Sequence, residues 1–398
     1  MSTPPANAAT DGQDFAAIER GRYLAVAADC GACHTTQGSG ELFAGGRPIE
    51  TPFGRILAAN ITPDRETGIG AWTDDEFVGS LLKGVGQGTH LYPAMPYTYL
   101  THMTREDALA IRAYLNTVPP VSHDVVSNQL PFPFNIRVSM LAWNALFFKE
   151  GTFIPRKDKT AEWNRGAYLA EGPMHCGMCH TPKNFLGGDT ASEALQGYSL
   201  QGWFAPNITN DNYRGLGGWT IGQIVAYLKD GHNDTAAASG PMAEEVALSS
   251  SQMTDGDLHA VAAYLKDRPD SGAEKPAPIA ASDAAMKVGG AIYTDECSAC
   301  HAPAGTGVGG LIPALAGSAS VQSREATSLL HVLLRGTRSV GTQGAPTAPA
   351  MPPFGWLLTD DEVAAVTTYV RNAWGNAAPA VSAGDVSHAR DSLAKGGD

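Results

Sequence analysis

All six cysteines of this chain stand in three pairs, each closed by a histidine: Cys30-Gly-Ala-Cys33-His34, Cys176-Gly-Met-Cys179-His180 and Cys297-Ser-Ala-Cys300-His301. Two thiols separated by two residues and followed by an imidazole form the attachment signature of a c-type haem. The thiols bond the porphyrin vinyl groups, and the histidine is carried beneath the iron as proximal ligand. No cysteine is left for a disulfide. A zinc site needs four Cys or His ligands in one compact group, and each motif supplies three without a consistent fourth. The sequence predicts three covalently attached haem c groups.

An iron with only a proximal histidine binds small molecules or reacts with peroxide, whereas a second strong protein ligand favours electron transfer. Candidates for that ligand are Met95 in Tyr92-Pro-Ala-Met95-Pro96, Met242 in Gly240-Pro-Met242 and Met351 in Ala350-Met351-Pro352-Pro353. They lie 61, 62 and 50 residues beyond their histidines, and the first two separations match as duplicated units should. A neighbouring proline stiffens the segment that presents the sulfur. Met103 and Met253, each just before a repeated threonine, read as a structural contact, and Met174 and Met178 stand too close to the second motif to reach its far face. His90, His232 and His331 do not repeat in position, so contacts with solvent or haem propionates suit them better than ligation. For the proximal histidines, the carbonyl near Pro313 is a candidate acceptor, since ligating imidazoles donate their second N–H to a fixed partner. Asn60-Ile-Thr62 and Asn207-Ile-Thr209 recur and suit either propionate contacts or a local turn.

The elements that must hold these residues repeat as well. A small-plus-aromatic helix pattern precedes each motif: Gly21-Arg-Tyr23-Leu24, Gly166-Ala-Tyr168-Leu169 and Gly290-Ala-Ile292-Tyr293. Trp72-Thr73-Asp-Asp-Glu76 and Trp219-Thr220-Ile-Gly-Gln223 read as capping boxes opening a second helix. Closing helices start at Thr104, Thr254 and Thr359, and the spacing of Ile111, Tyr114, Leu115 and their counterparts puts them on one helical face. Tyr114, Tyr264 and Tyr369 read as packing residues with the hydroxyl at a rim. The expected fold class is all-α, with three tandem class I cytochrome c-like domains each wrapped around one covalently bound haem. Their spans are 14–118, 160–268 and 283–376, joined by a strap at 119–159 and a linker at 269–282, with a flexible tail at 377–398.

Length and composition agree with several small cores, and the 45 glycines and 26 prolines imply long loops. The net charge of −13, with no basic stripe, excludes a nucleic-acid partner. The most apolar run, Val138 to Phe148, is interrupted by Asn144 and is too short to span a bilayer; a buried linker is the expectation for it, with a membrane or partner contact as the alternative. Met1 to Thr10 shows neither a basic n-region nor an apolar h-region, which suggests an export signal already removed. No Ser-His-Asp grouping, phosphate loop or carboxylate pair declares catalysis by the chain alone.

The stretches Ala59 to Asp64, Gly70 to Phe77, His90 to Tyr97, Trp163 to Leu169 and Cys176 to Asn184, with Met351-Pro-Pro-Phe354 in the third unit, resemble the tri-haem cytochrome c subunits of bacterial membrane-bound dehydrogenases. That family includes alcohol, gluconate, sorbitol and fructose dehydrogenases. The resemblance implies a separate catalytic subunit carrying FAD, pyrroloquinoline quinone or a molybdenum cofactor. It also implies onward transfer of electrons to ubiquinone or another respiratory acceptor, on the periplasmic side of the membrane. Contact with the membrane surface would run through the partner or an anchor not evident in this chain. Two other readings stay open on the residues: a peroxidase-like haem enzyme with one open iron, and a free electron shuttle.

Overall fold

A computed structural model describes residues 14–38, 40–126 and 128–395. Met1 to Thr10, read for an export signal, lies outside the described residues.

Each third of the chain is framed by an opening and a closing helix that cross. The pairs are Phe15–Ala27 with Arg105–Leu115, Ala161–Glu171 with Asp255–Lys266, and Ala284–Ile292 with Asp360–Val370. Glycine makes the crossings close. A Cβ on Gly21 would stand 1.8 Å from the Ala110 carbonyl oxygen, one on Gly166 1.8 Å from that of Ala260, and one on Gly289 2.1 Å from that of Ala365. Only a residue without a side chain permits such backbone approach. In the third unit the contact belongs to Gly289 rather than to Gly290, which meets the Tyr369 ring instead. That shifts the register by one, so Ala291 stands where Tyr23 and Tyr168 stand in the other units.

Threonine hydroxyls cap the closing helices at Thr104, Thr254 and Thr359, each accepting from the amide three residues on. The middle helices Asp74–Lys83 and Ile221–Asp230 open on full capping boxes and stop at Gly84 and Gly231, both left-handed. The third middle helix, Thr327–Arg335, ends at Gly336. Between these frames lie three apolar clusters, around Leu81, Met103 and Ile111, around Leu169, Met253 and Val261, and around Tyr293, Leu330 and Val363. Each buried side chain of this size contributes about 1.5–3 kcal/mol.

The first two units exchange identical contacts across their shared face. Tyr23 donates to Asp257 at 2.6 Å while Tyr168 donates to Asp107. Within each unit an arginine holds the accepting aspartate, Arg20 on Asp107 at 2.5 Å and Arg165 on Asp257 at 2.8 and 2.7 Å. Residue i of one unit meets residue j of the other and the reverse, which is the contact pattern of a two-fold pair. Burial works to raise the Asp257 carboxyl, but the bonds from Arg165 and Tyr23 outweigh it and hold the group below the ordinary range. The third unit attaches differently. The indole of Trp203 stacks on His331 with centroids 4.0 Å apart, and the Phe204 backbone exchanges bonds with the Ser328 hydroxyl at 2.8 and 3.1 Å.

The described residues are mostly helical, as expected, with four short two-stranded antiparallel sheets, including Pro48–Thr51 with Gly54–Leu57 and Tyr198–Leu200 with Trp203–Ala205. Two expectations need correction. The stretch 377–398 is not a flexible tail where it is described. It carries a helix over Ala383–Lys395 that packs Val386 into the third cluster, with Arg390 bound to Asp360 at 2.7 Å. The apolar run at Val138 to Phe148 forms a helix, Ser139–Phe147, with no buried residue. Its Met140, Ala142, Trp143, Leu146 and Phe147 line the large cavity described below.

Candidate functional site

Each motif folds into a short helix, Cys30–His34, Gly177–His180 and Ser298–His301. On a helix, spacings of three and four bring side chains to one face, so both thiols and the imidazole of each motif address the same side. The residue before the first cysteine is left-handed in two units, Asp29 with φ 47° and His175 with φ 36°. Non-glycine residues in that region cost about 1–3 kcal/mol and persist where the surroundings over-determine them. The third unit reaches its motif through a π-helical turn, Tyr293–Cys297, a local form found often at functional positions.

The histidines are held alike. His34 Nδ1 lies 2.6 Å from the Ala59 carbonyl, His180 Nδ1 2.6 Å from that of Pro206, and His301 Nδ1 3.1 Å from that of Pro313. A carbonyl at Nδ1 fixes the ring and leaves Nε2 as the free ligand atom. Burial pushes all three imidazoles below their ordinary range, which favours the neutral, metal-binding form. Asn60 and Asn207 aim the first two carbonyls. Each Oδ1 accepts from the amide and the hydroxyl of the threonine two residues on, at 2.8–2.9 Å. Those oxygens serve the turn rather than a haem carboxylate.

Burial raises the thiols, Cys30 and Cys176 to about 12 and Cys33, Cys179 and Cys297 to about 11. They are therefore protonated at neutral pH, unlike the thiolates of reactive cysteines. Each candidate methionine packs on the cluster that also holds its unit's first cysteine: Met95 with Cys30, Met242 with Cys176 and Met351 with Cys297. Their settings differ. Met95 follows a turn, Met242 lies in the first turn of the helix Pro241–Leu248, and Met351 in a two-residue strand. Met103 and Met253 are fully buried, and Met174 is nearly so. His331 bonds the Gly202 carbonyl at 3.1 Å in addition to stacking on Trp203, which engages it at the contact between the second and third units. The Nδ1 of His90 is buried without a hydrogen-bond partner. Tyr264 donates to Glu171 at 2.5 Å, while Tyr369 packs against Tyr293 and Trp374.

A connected cavity of about 2370 Å³ runs past Cys176, Cys179, His180 and Met242 to Cys297, Cys300, His301 and Met351, and touches Cys33. That exceeds the roughly 300–1,000 Å³ of an ordinary ligand pocket and suits more than one large planar cofactor. The donor set also fits, with paired thiols beside an oriented neutral imidazole.

Residues that sequence reasoning missed join the first two sites. Arg47 donates to the Ala32 carbonyl inside the first motif and pairs with Glu244 on the helix that carries Met242. Beside them, burial and the nearby Glu245 and Glu244 push Asp29 up to about 8, and burial pushes Glu245 up to about 7. Nothing local in the sequence marks these groups, because the contact joins residues nearly 200 positions apart.

The cytochrome c family model matches residues 18–119 and 286–374. The chain is 38% identical to the gluconate 2-dehydrogenase cytochrome c subunit of Pantoea cypripedii, over 96% of this chain and 91% of the relative. It is 38% identical to the cytochrome c subunit of the quinone alcohol dehydrogenase of Gluconobacter oxydans (strain 621H), over 95% and 83%. The fructose dehydrogenase cytochrome subunit of Gluconobacter japonicus is 36% identical over 94% and 82%. With oriented imidazoles beside all six thiols and relatives matched along nearly their whole length, the chain belongs to the family of cytochrome c subunits of bacterial dehydrogenases.

Proposed function

We propose that the protein is a three-haem electron-transfer subunit, taking electrons from a partner dehydrogenase and passing them to a respiratory acceptor such as ubiquinone. The domains would be 14–118, 160–268 and 283–376, each with one haem c. The observation that carries this reading is the threefold recurrence of one arrangement, a cysteine pair, an imidazole fixed at Nδ1 by a carbonyl, and a methionine on the same apolar cluster. Bound haem supplies one-electron chemistry at iron, and a His/Met ligand pair raises its potential.

In this account Cys30, Cys33, Cys176, Cys179, Cys297 and Cys300 anchor the cofactors through thioether links. His34, His180 and His301 would supply Nε2, and Met95, Met242 and Met351 would supply sulfur, as ligands to the iron. The carbonyls of Ala59, Pro206 and Pro313 keep each imidazole from rotating, and the clusters exclude water from the ligands. The family relationship supports a catalytic partner of the FAD, pyrroloquinoline quinone or molybdenum type acting on an alcohol, sugar or aldehyde. It also supports placement on the periplasmic side of the cytoplasmic membrane. No helix among the described residues is long and apolar enough to cross a membrane.

Purification of the native protein from solubilised membranes tests this reading. Identification of bound subunits by mass spectrometry, with quinone reduction assayed across alcohols and sugars, is expected to return a dehydrogenase and its substrate. A lone protein that turns over hydrogen peroxide would overturn it.

A further inference from the structure

The closing helix of the third unit ends on a buried cation without a counter-ion. Arg371 caps the C-terminus of Asp360–Val370 and is 1% exposed. Its guanidinium donates only to backbone carbonyls. Nε bonds Pro379 at 3.2 Å, Nη1 bonds Val321 at 3.2 Å and Nη2 bonds Ser323 at 3.0 Å. No carboxylate among the described residues pairs with it, and the other cation that acts on it, Arg214 of the second unit, repels it. Burial, followed by that repulsion, pushes the group down to about 10, so it keeps its charge at neutral pH. The carbonyls steady the ion as dipoles, but they carry no net charge to cancel its field.

That field reaches the third site. Val321 and Ser323, whose carbonyls hold the guanidinium, both line the large cavity, and so do Thr367 and Val370 of the last helical turn. The same cavity is lined by His301 and Met351. One layer of protein therefore separates the charge from the space assigned to the third haem. A charge buried in this way is screened far less than one on the surface.

The first two units lack the feature. Twelve residues beyond the capping threonines Thr104, Thr254 and Thr359 stand Asn116, Lys266 and Arg371. Asn116 is neutral and exposed. Lys266 is only partly buried and bonds the Leu216 and Gly217 carbonyls at 3.1 and 2.9 Å. The groups buried beside the first two motifs, Asp29 and Glu245, are acidic instead.

Reduction adds one negative charge at a haem, so a fixed cation nearby favours the reduced state. We propose that Arg371 tunes the third haem, raising its reduction potential through the field of an uncompensated charge. The inference rests on the reading that Cys297, Cys300 and His301 hold a haem.

Spectroelectrochemical titration of the haem-loaded protein tests it. The midpoint missing from a Cys297→Ala/Cys300→Ala variant identifies the third haem. At an effective dielectric of about 20, one unit charge acting over about 12 Å changes a one-electron equilibrium by about tenfold, or about 59 mV. Arg371→Gln should lower the third midpoint by about that much and leave the other two in place. Arg371→Lys, which keeps the charge, should restore most of it. Gln322 lies between the two carbonyl donors Val321 and Ser323, and its Oε1 accepts from the Ala377 amide at 3.2 Å. Gln322→Glu keeps that acceptor and Arg371 while adding a counter-charge, so it should shift the third midpoint in the same direction. A third midpoint unmoved in Arg371→Gln, with three low-spin haems retained, would overturn the proposal. So would an equal shift in Arg371→Lys, since that assigns the residue to holding the fold alone. If Arg371→Gln loses the third haem, an unmoved midpoint in Gln322→Glu would overturn it. A parent protein with no third haem would overturn both this inference and the reading beneath it, whereas a third haem indifferent to these charges would overturn this inference only.

Discussion

The first two units and the third use the same helix crossing and the same motif, yet they are assembled in different ways. In units one and two, Tyr23 and Tyr168 cross the shared face to Asp257 and Asp107, and each aspartate is also held by an arginine of its own unit, Arg165 and Arg20. The third unit has Val288, Ala291 and Glu362 at the corresponding places, and Glu362 only closes its own capping box. In exchange it gains the Ala383–Lys395 helix, which covers its own core, and a dock on the Trp203 hairpin. One fold can thus serve as half of a fused pair or as an appended unit, joined by the tyrosine–aspartate exchange in one case and by the Trp203 hairpin in the other. The first two sites should respond together to damage, and the third alone.

The largest contrast is expected at the crossings. Gly166→Val drives a side chain into the Ala260 carbonyl, and overpacking against backbone exceeds the usual roughly 1–3 kcal/mol. The haem count by intact mass should fall at the first and second motifs together. Gly289→Val should instead lose only the third haem. Loss confined to the second motif in Gly166→Val would break the pairing argument.

Next come the ligands. Met95→Ala, Met242→Ala and Met351→Ala should each convert one haem to the high-spin form while all three remain attached, read by absorption and electron paramagnetic resonance. A variant with unchanged spectra removes that methionine as a ligand.

Across the shared face, Asp107→Asn leaves Arg20 and the Tyr168 hydroxyl poorly matched. Because Arg20 is half exposed, the cost should be about 1–3 kcal/mol, below that of a fully buried pair. Glu362→Gln, at the equivalent place, should cost no more than the ~1 kcal/mol of a cap. Urea unfolding of the haem-loaded proteins measures both, and equal costs would remove the distinction.

The smallest effect is one of pH. Asp29 and Glu245 have folded-state values raised by burial to about 8 and about 7, from ordinary values of 3.8 and 4.5. The native state binds the extra protons, so the stabilisation is complete below about pH 4 and is lost as pH rises towards 8. The thermal midpoint of the first two units should fall by a few degrees between pH 5 and pH 8. Asp29→Asn should flatten that fall, and the third unit should not show it.

Local spacing made much of this legible. The motifs, the capping threonines and the closing-helix faces are written within a few residues of one another, and the carbonyl at Pro313 was named from its neighbourhood alone. The proximal acceptors Ala59 and Pro206 stand one residue before the repeated Asn-Ile-Thr, but a backbone carbonyl carries no side-chain signature of its own. The doublet Gly289-Gly290 hid the register, since either glycine satisfies the pattern. The Ala383–Lys395 helix has a weakly apolar sequence and shows itself only by where Val386 and Arg390 land. The strap's apolar composition suggests burial, whereas its helix has no buried residue and borders the large cavity. The reciprocal exchange did leave a trace, the same Arg, Tyr and Asp in two units and none in the third, but only tertiary contact gives that pattern a meaning.

The central claim is that three His/Met haems form one relay fed by a partner dehydrogenase. Rapid mixing of the purified native complex with the dehydrogenase's substrate, followed by absorption and paramagnetic resonance, tests it most directly. The account predicts three low-spin haems, all reduced within turnover. A haem that stays oxidised throughout, or a high-spin iron that reacts with peroxide, would contradict it.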